Sequence, residues 1–226
     1  MCSRYSLICS PQTLSRIFGR YQGDDFPPRY NIAPSQPVLI VRIGVRGERE
    51  FRLVRWGLIP SWAKDPAQYG LLVNARSETA AEKPSFRGAM RHRRCLIPTT
   101  GYYEWTGGRS SRQPHLIKLD DQPVFAMAGL WEAWLGADGS EIETMAILTT
   151  TANADVASIH DRMPVIIEPE DYDRWLDCSS GRENEVLDLL APLPRGRMVV
   201  MAINPKLNDP RAEGPDLHQP PNPTLL

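Results

Sequence analysis

Cys2, which directly follows the initiator Met1, carries the groups with the most specific chemistry in this chain. We expect Met1 to be removed because cysteine is small, and Cys2 would then hold a free α-amine beside its thiol. Such an amine has a pKa near ~7.7–8.0 and the thiol one near ~8.5. This 1,2-aminothiol condenses with an aldehyde to an imine and closes a thiazolidine ring, or acts as an N-terminal nucleophile. The alternative is a cysteine that stands here without any role.

Other polar residues interrupt apolar or aromatic stretches. Glu104 lies in GYYEW, and it is either a solvent-facing strand position or a pocket carboxylate with a raised pKa. Asn74 and Arg76 follow an apolar run, where they would form a turn or would orient a nucleophile and hold a phosphate. His160 lies in SIHDRMPVII, beside a carboxylate and an arginine that could fix its tautomer and bind an anion.

The sequence also contains features suited to nucleic acid. Trp62 ends the segment WGLIPSW and belongs either to the edge of the core or to a surface on which bases stack. Residues 87–94 form the most basic stretch, which is either a solvated helix face or a track for phosphates. Only four of the 26 basic residues are lysines, so the planar, bidentate guanidinium dominates. Mutational bias toward arginine codons explains this composition equally well.

Composition limits the class of protein. The 226 residues are 42% hydrophobic and 23% charged, with a net charge of −1, which argues against bulk nucleic-acid binding but allows a local basic face. No apolar run reaches the ~18 residues of a membrane span, and the N-terminus does not resemble a signal peptide. We therefore expect a cytoplasmic protein. The four cysteines form no CxxC pair, so neither a disulfide framework nor a metal site is predicted, and no cofactor is required.

Runs rich in branched and aromatic residues predict more strands than helices. The predicted strands are Pro37–Gly44, Glu50–Leu58, Arg94–Trp105, His115–Leu119, Pro123–Trp134, Thr144–Thr151 and Arg197–Ile203. The predicted helices are Pro11–Phe18, one opened by the capping box Thr79–Glu82, Asn153–Ile159, Pro169–Leu176 and Glu183–Leu190. Without strict βαβ alternation, this pattern predicts a single α+β domain with a mainly antiparallel, barrel-like or two-sheet core flanked by short helices.

The final part of the sequence differs in composition from the rest. From Asp209 onward it reads DPRAEGPDLHQPPNPTLL, which is rich in proline and poor in apolar residues. Such a segment buries little apolar surface, so we expect a folded domain over residues 1–207 and a flexible tail over 208–226.

Eight segments, in this order, resemble one family. They are MCSRY, RYNIAP, RWGLIPSWAKD, VNARSET, RCLIP, GYYEW, ILTTTAN and IHDRMPVII. Together they are similar to the SRAP (SOS response-associated peptidase) proteins, over about residues 1–204. The family's usual start is Met-Cys-Gly-Arg, whereas this chain has Ser3, which adds a side chain beside the nucleophile and loses the conformational freedom of glycine.

The resemblance implies covalent capture of abasic sites in single-stranded DNA, because the opened abasic sugar presents an aldehyde to the aminothiol. It implies that Cys2 is the nucleophile, that Asn74 orients it, that Glu104 moves protons and that His160 assists at the opened sugar. Further residues are expected to contact DNA; they are Arg4, Asn31, Trp62, Arg76, Arg87, Thr149 and Arg162. The family name also implies peptidase activity, the simplest form of which is removal of Met1 by the protein itself.

Two other functions remain open from the sequence. One is an N-terminal cysteine peptidase or amidohydrolase that acts on peptides, and the other is a single-strand-binding module without catalysis. If the protein instead captures abasic sites, its expected partners are single-stranded DNA with abasic sites and proteins of the replication fork. We expect it to be a monomer that associates with the nucleoid in bacteria. No membrane partner is expected.

Overall fold

Strands predominate in the structure, as the branched and aromatic runs indicate. The computed structural model describes residues 2–23, 26–66, 69–108 and 111–221. The strands in these residues are β1 (Tyr5–Leu7), β2 (Arg29–Ile32), β3 (Pro37–Ile43), β4 (Arg49–Trp56), β5 (Asn74–Arg76), β6 (Arg94–Thr99), β7 (Gly101–Thr106), β8 (Gln113–Leu119), β9 (Phe125–Leu135), β10 (Glu141–Thr151), β11 (Arg162–Pro164), β12 (Ile166–Ile167) and β13 (Met198–Ala202). The α-helices are α1 (Pro11–Phe18), α2 (Ser77–Ala80), α3 (Arg87–His92) and α4 (Tyr172–Leu176).

The larger sheet closes on itself. Strands β10, β4, β3, β6 and β9 pair in a ring, because β10 bonds both to β4 and to β9. Most pairs are antiparallel, but β10 runs parallel to β4 and to β5. β5, β11 and β12 extend the sheet beyond the ring. The predicted α+β class with a mainly antiparallel, barrel-like core is confirmed.

A second sheet, which we call the N-terminal sheet, has the strand order β13-β8-β7-β1-β2 in the described residues. β1 lies inside this sheet between β2 and β7, with Tyr5 paired to Ile32 on one side and to Tyr102 on the other. Tyr5 meets Trp56 of the barrel with ring centroids 5.4 Å apart, and both side chains are fully buried. The N-terminal sheet therefore packs on the barrel, and the start of the chain lies between the two.

Helix α1 has the predicted bounds because its end signals are local. Ser10 accepts a hydrogen bond from the Thr13 amide, Pro11 occupies the first turn, and Gly19 ends the helix at a φ of 108°. A residue with a side chain would be strained at that φ, so the glycine fixes the stop.

Four helix predictions differ from the structure. The predicted helix Pro169–Leu176 is divided into a 3₁₀ helix over Pro169–Asp171 and the α-helix α4. The Thr79–Glu82 box opens no helix, since α2 begins at Ser77 and ends at Ala80. The predicted helix Asn153–Ile159 is a series of turns over 154–159, although Asn153 Oδ1 accepts from the Asp155 amide as a cap would and its Nδ2 donates to the Leu193 carbonyl. The predicted helix Glu183–Leu190 is present as a 3₁₀ helix. Short amphipathic patterns do not specify which of these closely related backbone forms is adopted.

The segment that follows β13 is also different from its prediction. Residues 205–221, which we call the C-terminal clasp, contain the 3₁₀ helices Pro205–Asn208 and Pro215–His218. Leu207 and Leu217 are buried against the N-terminal sheet. Up to residue 221 the predicted flexible tail is thus docked, because these leucines find an apolar surface that the sequence does not reveal. The rest of the predicted tail, 222–226, lies outside the described residues.

Candidate active site around Cys2

Cys2 lies just before β1, in the space between the two sheets, and its side chain is fully buried. The β ladder continues past the strand toward it, since the Tyr103 amide donates to the Arg4 carbonyl over 3.0 Å. The Cys2 Sγ lies 3.8 Å from that same carbonyl oxygen. Burial raises the pKa of the Cys2 thiol far above its usual range, and the charge of Glu104 raises it further. The thiol is therefore protonated at neutral pH.

Asn74 links the nucleophile to the barrel. It opens β5, where it pairs in parallel with Ile147 of β10, and its Nδ2 donates to the Cys2 carbonyl over 2.9 Å. The indole of Trp56 donates to the neighbouring Val73 carbonyl and fixes the approach to the strand. The Asn74 Oδ1 is buried and has no hydrogen-bond donor among the described residues. A buried acceptor of this kind is suited to an N–H or O–H group that arrives later.

Glu104 lies on β7 and is only 3% exposed. Its neighbours Tyr103 and Trp105 point to the opposite face of the sheet, as alternation along a strand requires. Burial raises the pKa of the Glu104 carboxyl, and the nearby His160 is among the groups that oppose this rise. Glu104 interacts electrostatically with both Cys2 and His160, so three of the predicted catalytic residues lie in one site.

His160 follows the turns over 154–159 at the entrance to β11. Its Nδ1 accepts a hydrogen bond from the Arg162 amide over 2.9 Å, so the neutral ring carries its proton on Nε2. Asp161 Oδ1 lies 2.9 Å from the same Nδ1. The ring is 26% exposed, so His160 lies between the buried groups and the solvent.

The predicted DNA contacts divide into an exposed and a buried group. Trp62, Arg76 and Arg87 are exposed. The Trp62 indole donates to the Pro84 carbonyl over 3.3 Å and meets the Tyr69 ring edge-on at 5.4 Å, which leaves 52% of its surface open. Such a ring is supported from behind and is available for stacking.

The buried group makes contacts within the protein. Arg162 binds the Glu78 carboxylate through both terminal nitrogens and donates to the Thr149 carbonyl over 2.6 Å. Thr149 is fully buried and donates to the Ala75 carbonyl over 3.4 Å. Arg4 is half-buried, and its guanidinium donates to Asn31 over 2.7 Å.

The structure places Asn31, one of the predicted DNA contacts, inside the fold. It is fully buried, and its Nδ2 donates to the Asp209 and Ala212 carbonyls over 2.9 and 3.0 Å. Its amide therefore holds the C-terminal clasp, which the sequence could not show because the clasp itself was not predicted.

The basic stretch 87–94 is largely neutralised by contacts within the fold. Arg91 pairs with Glu183, and Arg93 pairs with Glu132 over 2.7 Å. Arg94 is buried and donates to the carbonyls of Met90, Trp175 and Asp177. The stretch is thus not a continuous phosphate track, and Arg87 is exposed at the start of α3.

One residue near the site has no signal in the sequence. Arg112 is exposed, its guanidinium lies 4.5 Å from the Trp105 ring centroid, and its charge is among those that lower the pKa of Glu104. It is found only through the pairing of β7 with β8, which brings Gln113 opposite Thr106.

No group of three or more potential metal ligands occurs in the described ranges. None of the helices in the described part of the chain has the length and apolar composition of a membrane span.

The fold and the site define a class of α+β proteins in which a cysteine at the start of the chain is buried between two sheets beside a glutamate, an amide and a histidine. The family model described as SOS response associated peptidase (SRAP) matches residues 1–210, and the chain belongs to this family.

Similar proteins cover nearly the whole chain. The "Abasic site processing protein YoqW" of Bacillus subtilis is 36% identical over 96% of this chain and 98% of its own length. The "Abasic site processing protein HMCES" of Gallus gallus is 32% identical over 77% of this chain and 60% of its own. A solved structure of a protein from Bacteroides thetaiotaomicron has a TM-score of 0.87 at 29% identity and covers 98% of this chain and all of that one.

Proposed function

We propose that this protein processes abasic sites by capturing them covalently in single-stranded DNA through Cys2. The observation that carries the proposal is the buried Cys2, held by Asn74 and coupled to Glu104, in a chain whose relatives are named abasic site processing proteins. An abasic sugar lacks a base and opens to an aldehyde, which is the electrophile that an aminothiol captures.

The reaction needs a free amine on Cys2, so we propose that Met1 is first removed. Hydrolysis of the Met1–Cys2 peptide bond consumes one water and converts the Cys2 amide nitrogen into an amine. Glu104 interacts with Cys2 and with His160, and the two side chains are suited to activate the water and protonate the leaving amine. Self-processing of this kind accounts for the peptidase in the family's description.

The first step at DNA is imine formation. The neutral Cys2 amine attacks C1′ of the opened sugar, and the resulting carbinolamine loses water to leave a C=N bond. Glu104 retains a proton more readily than an exposed glutamate because burial raises its pKa, so it can protonate the departing hydroxyl. The buried Asn74 Oδ1 is placed to accept an N–H from the Cys2 amine while its Nδ2 holds the Cys2 carbonyl.

Ring closure completes the capture. The thiol sulfur adds to the imine carbon and the imine nitrogen becomes a secondary amine, so amine, thiol and aldehyde are converted to a thiazolidine and one water. The thiol begins protonated, and the Glu104 carboxylate is the nearby base that can take its proton. His160, with a proton on Nε2, would hold the sugar hydroxyl freed by ring opening.

Exposed side chains around this pocket would hold the DNA strand. Arg76 and Arg87 are exposed cations for phosphates, and the Trp62 ring is an exposed surface for an adjacent base. Arg162 and Arg4 are occupied by contacts within the fold, so in our proposal they support the site instead of binding the strand.

The test uses untagged protein and a single-stranded oligonucleotide with one abasic site. A slow band on a denaturing gel, absent for Cys2→Ala and for the intact strand, is expected, and mass spectrometry of the N-terminal peptide should show the DNA remnant as a thiazolidine. No band from protein that has demonstrably lost Met1 would refute capture. A band that survives acetylation of the Cys2 amine would refute the amine as the nucleophile.

A further inference from the structure

The C-terminal clasp covers the outer face of the N-terminal sheet, behind the site. Leu207 and Leu217 join Tyr103, Leu116 and Ile203 in a buried apolar cluster that is separate from the main core. This face would otherwise expose the aromatic side of β7, so the clasp is an integral layer of the fold. Its polar bonds, however, are concentrated on residues next to Cys2 and Glu104.

On the side of the nucleophile, the bonds converge on Arg4 and Asn31. Arg4 Nη1 donates to Asn31 Oδ1 over 2.7 Å and to the Leu207 carbonyl over 3.2 Å. Asn31 Nδ2 in turn donates to the Asp209 and Ala212 carbonyls of the clasp. The Arg4 carbonyl oxygen in turn lies 3.8 Å from the Cys2 Sγ. Arg4 thus links the clasp, through its side chain, to the thiol, through its carbonyl oxygen.

On the side of Glu104, the bonds reach both of its neighbours. The Tyr103 hydroxyl donates to the Tyr30 carbonyl over 2.5 Å and lies 2.6 Å from His218 Nε2 of the clasp. The Trp105 indole donates to Asn208 Oδ1 over 2.8 Å. Since Tyr103 and Trp105 flank Glu104 and face the clasp, their bonds to the clasp fix the position and orientation of β7, the strand that carries the Glu104 carboxylate.

We propose that the C-terminal clasp is a positioning element for the reaction, and that Asn31 is the positioning residue through which it acts on Cys2. The inference rests on the proposed function for its kinetic consequence. A displacement of ~1 Å at a reacting group can reduce a rate by about 10²-fold without loss of substrate binding. Asn31 is fully buried and linked to three clasp carbonyls, so its loss should produce a displacement of this kind.

The test compares Asn31→Ala with Lys206→Ala in the full chain. Lys206→Ala removes an exposed pair with Asp216 within the same clasp and serves as the matched control. Single-turnover crosslinking at saturating abasic strand is measured beside the affinity for a strand with a tetrahydrofuran analogue, which has no aldehyde. We expect Asn31→Ala to slow crosslinking about 10- to 100-fold with affinity within about twofold of wild type, and the control to change neither. An unchanged rate at saturation with weakened affinity would instead make Asn31 a DNA contact and overturn the proposal.

A second readout needs no DNA. Iodoacetamide alkylation of Cys2, followed by mass spectrometry of its peptide, should be slow in wild type because the thiol is buried and protonated, and several-fold faster in Asn31→Ala. If wild type forms no crosslink, the proposed function fails, and alkylation alone decides the positioning. Should Asn31→Ala not fold, Tyr103→Phe decides, because it removes only the β7 hydroxyl that contacts His218 of the clasp. Rates and alkylation equal to wild type in a folded variant would refute the inference.

Discussion

Replacing Glu104 by glutamine should stabilise the protein, and the gain should depend on pH. The carboxyl is 3% exposed, and its pKa is raised chiefly because burial penalises the charged form. The folded chain therefore holds the Glu104 proton more tightly than the unfolded chain. This contribution is fully favourable below the unfolded pKa and is lost as pH rises through the folded pKa. Glutamine has nearly the same shape and carries no charge at any pH.

The difference in the free energy of unfolding, variant minus wild type, should therefore rise with pH. The rise begins near the ordinary glutamate value of 4.5 and levels off above the raised folded pKa. Each unit by which burial raises that pKa is worth about 1.4 kcal/mol. In a chain of this size each kcal/mol moves Tm by about 2–4 °C. A gain of several degrees at pH 8 that disappears near pH 4 is the expected signature.

Denaturant unfolding and Tm of wild type and Glu104→Gln should be measured from pH 4 to 8. Glu132→Gln is the matched control, because Glu132 is 5% exposed but pairs with Arg93 over 2.7 Å. Its replacement breaks an ion pair whose carboxylate is buried and should destabilise the fold. A Glu104→Gln variant that is less stable than wild type at pH 8, or whose difference from wild type does not vary with pH, would refute the burial argument.

Three further perturbations test other parts of the structure. Burial and the Lys118 charge lower the pKa of His218 from 6.5 to about 4, so the free energy of unfolding of the wild type should fall as pH drops from 6.5 toward 4. His218→Gln should remove this fall, as measured in denaturant titrations at each pH. The fall is at most about 3 kcal/mol, and less for a half-buried ring that solvent screens. Arg94→Lys cannot keep all three carbonyl bonds and should lower stability by about 2–4 kcal/mol, whereas the affinity for single-stranded DNA, measured by fluorescence anisotropy, should not change. Trp62→Ala should have the opposite pattern, with about 1–3 kcal/mol less binding free energy in the same assay and an unchanged Tm; equal affinity would exclude stacking.

The elements that the sequence predicts well are those with local signals. Helix α1 has a cap, a first-turn proline and a terminal glycine, so its bounds are confirmed to the residue. The long strands β3, β9 and β10 lie within a few residues of their predicted ranges, because branched residues run through them. The fold class follows from these strands.

The elements that were missed depend on partners far away in the sequence. β5 has only three residues and exists because it pairs in parallel with β10. The same holds for Asn31, whose polar side chain suggests a surface contact but whose partners are carbonyls of a segment that was predicted to be flexible. The convergence of Cys2, Asn74, Glu104 and His160 was expected from the family resemblance, and local sequence alone left each residue with an ordinary alternative.

The pairing of β10 also affects how the protein folds. β10 pairs with β9, to which a short connection joins it, but its parallel partners β4 and β5 lie far earlier in the chain. Contacts between distant segments require closure of long loops and form slowly. We expect the β9–β10 hairpin to form early and the docking of β5 to come late. Asn74 reaches the Cys2 carbonyl only through that late step, so a folding intermediate would have most of its barrel before it has a competent nucleophile.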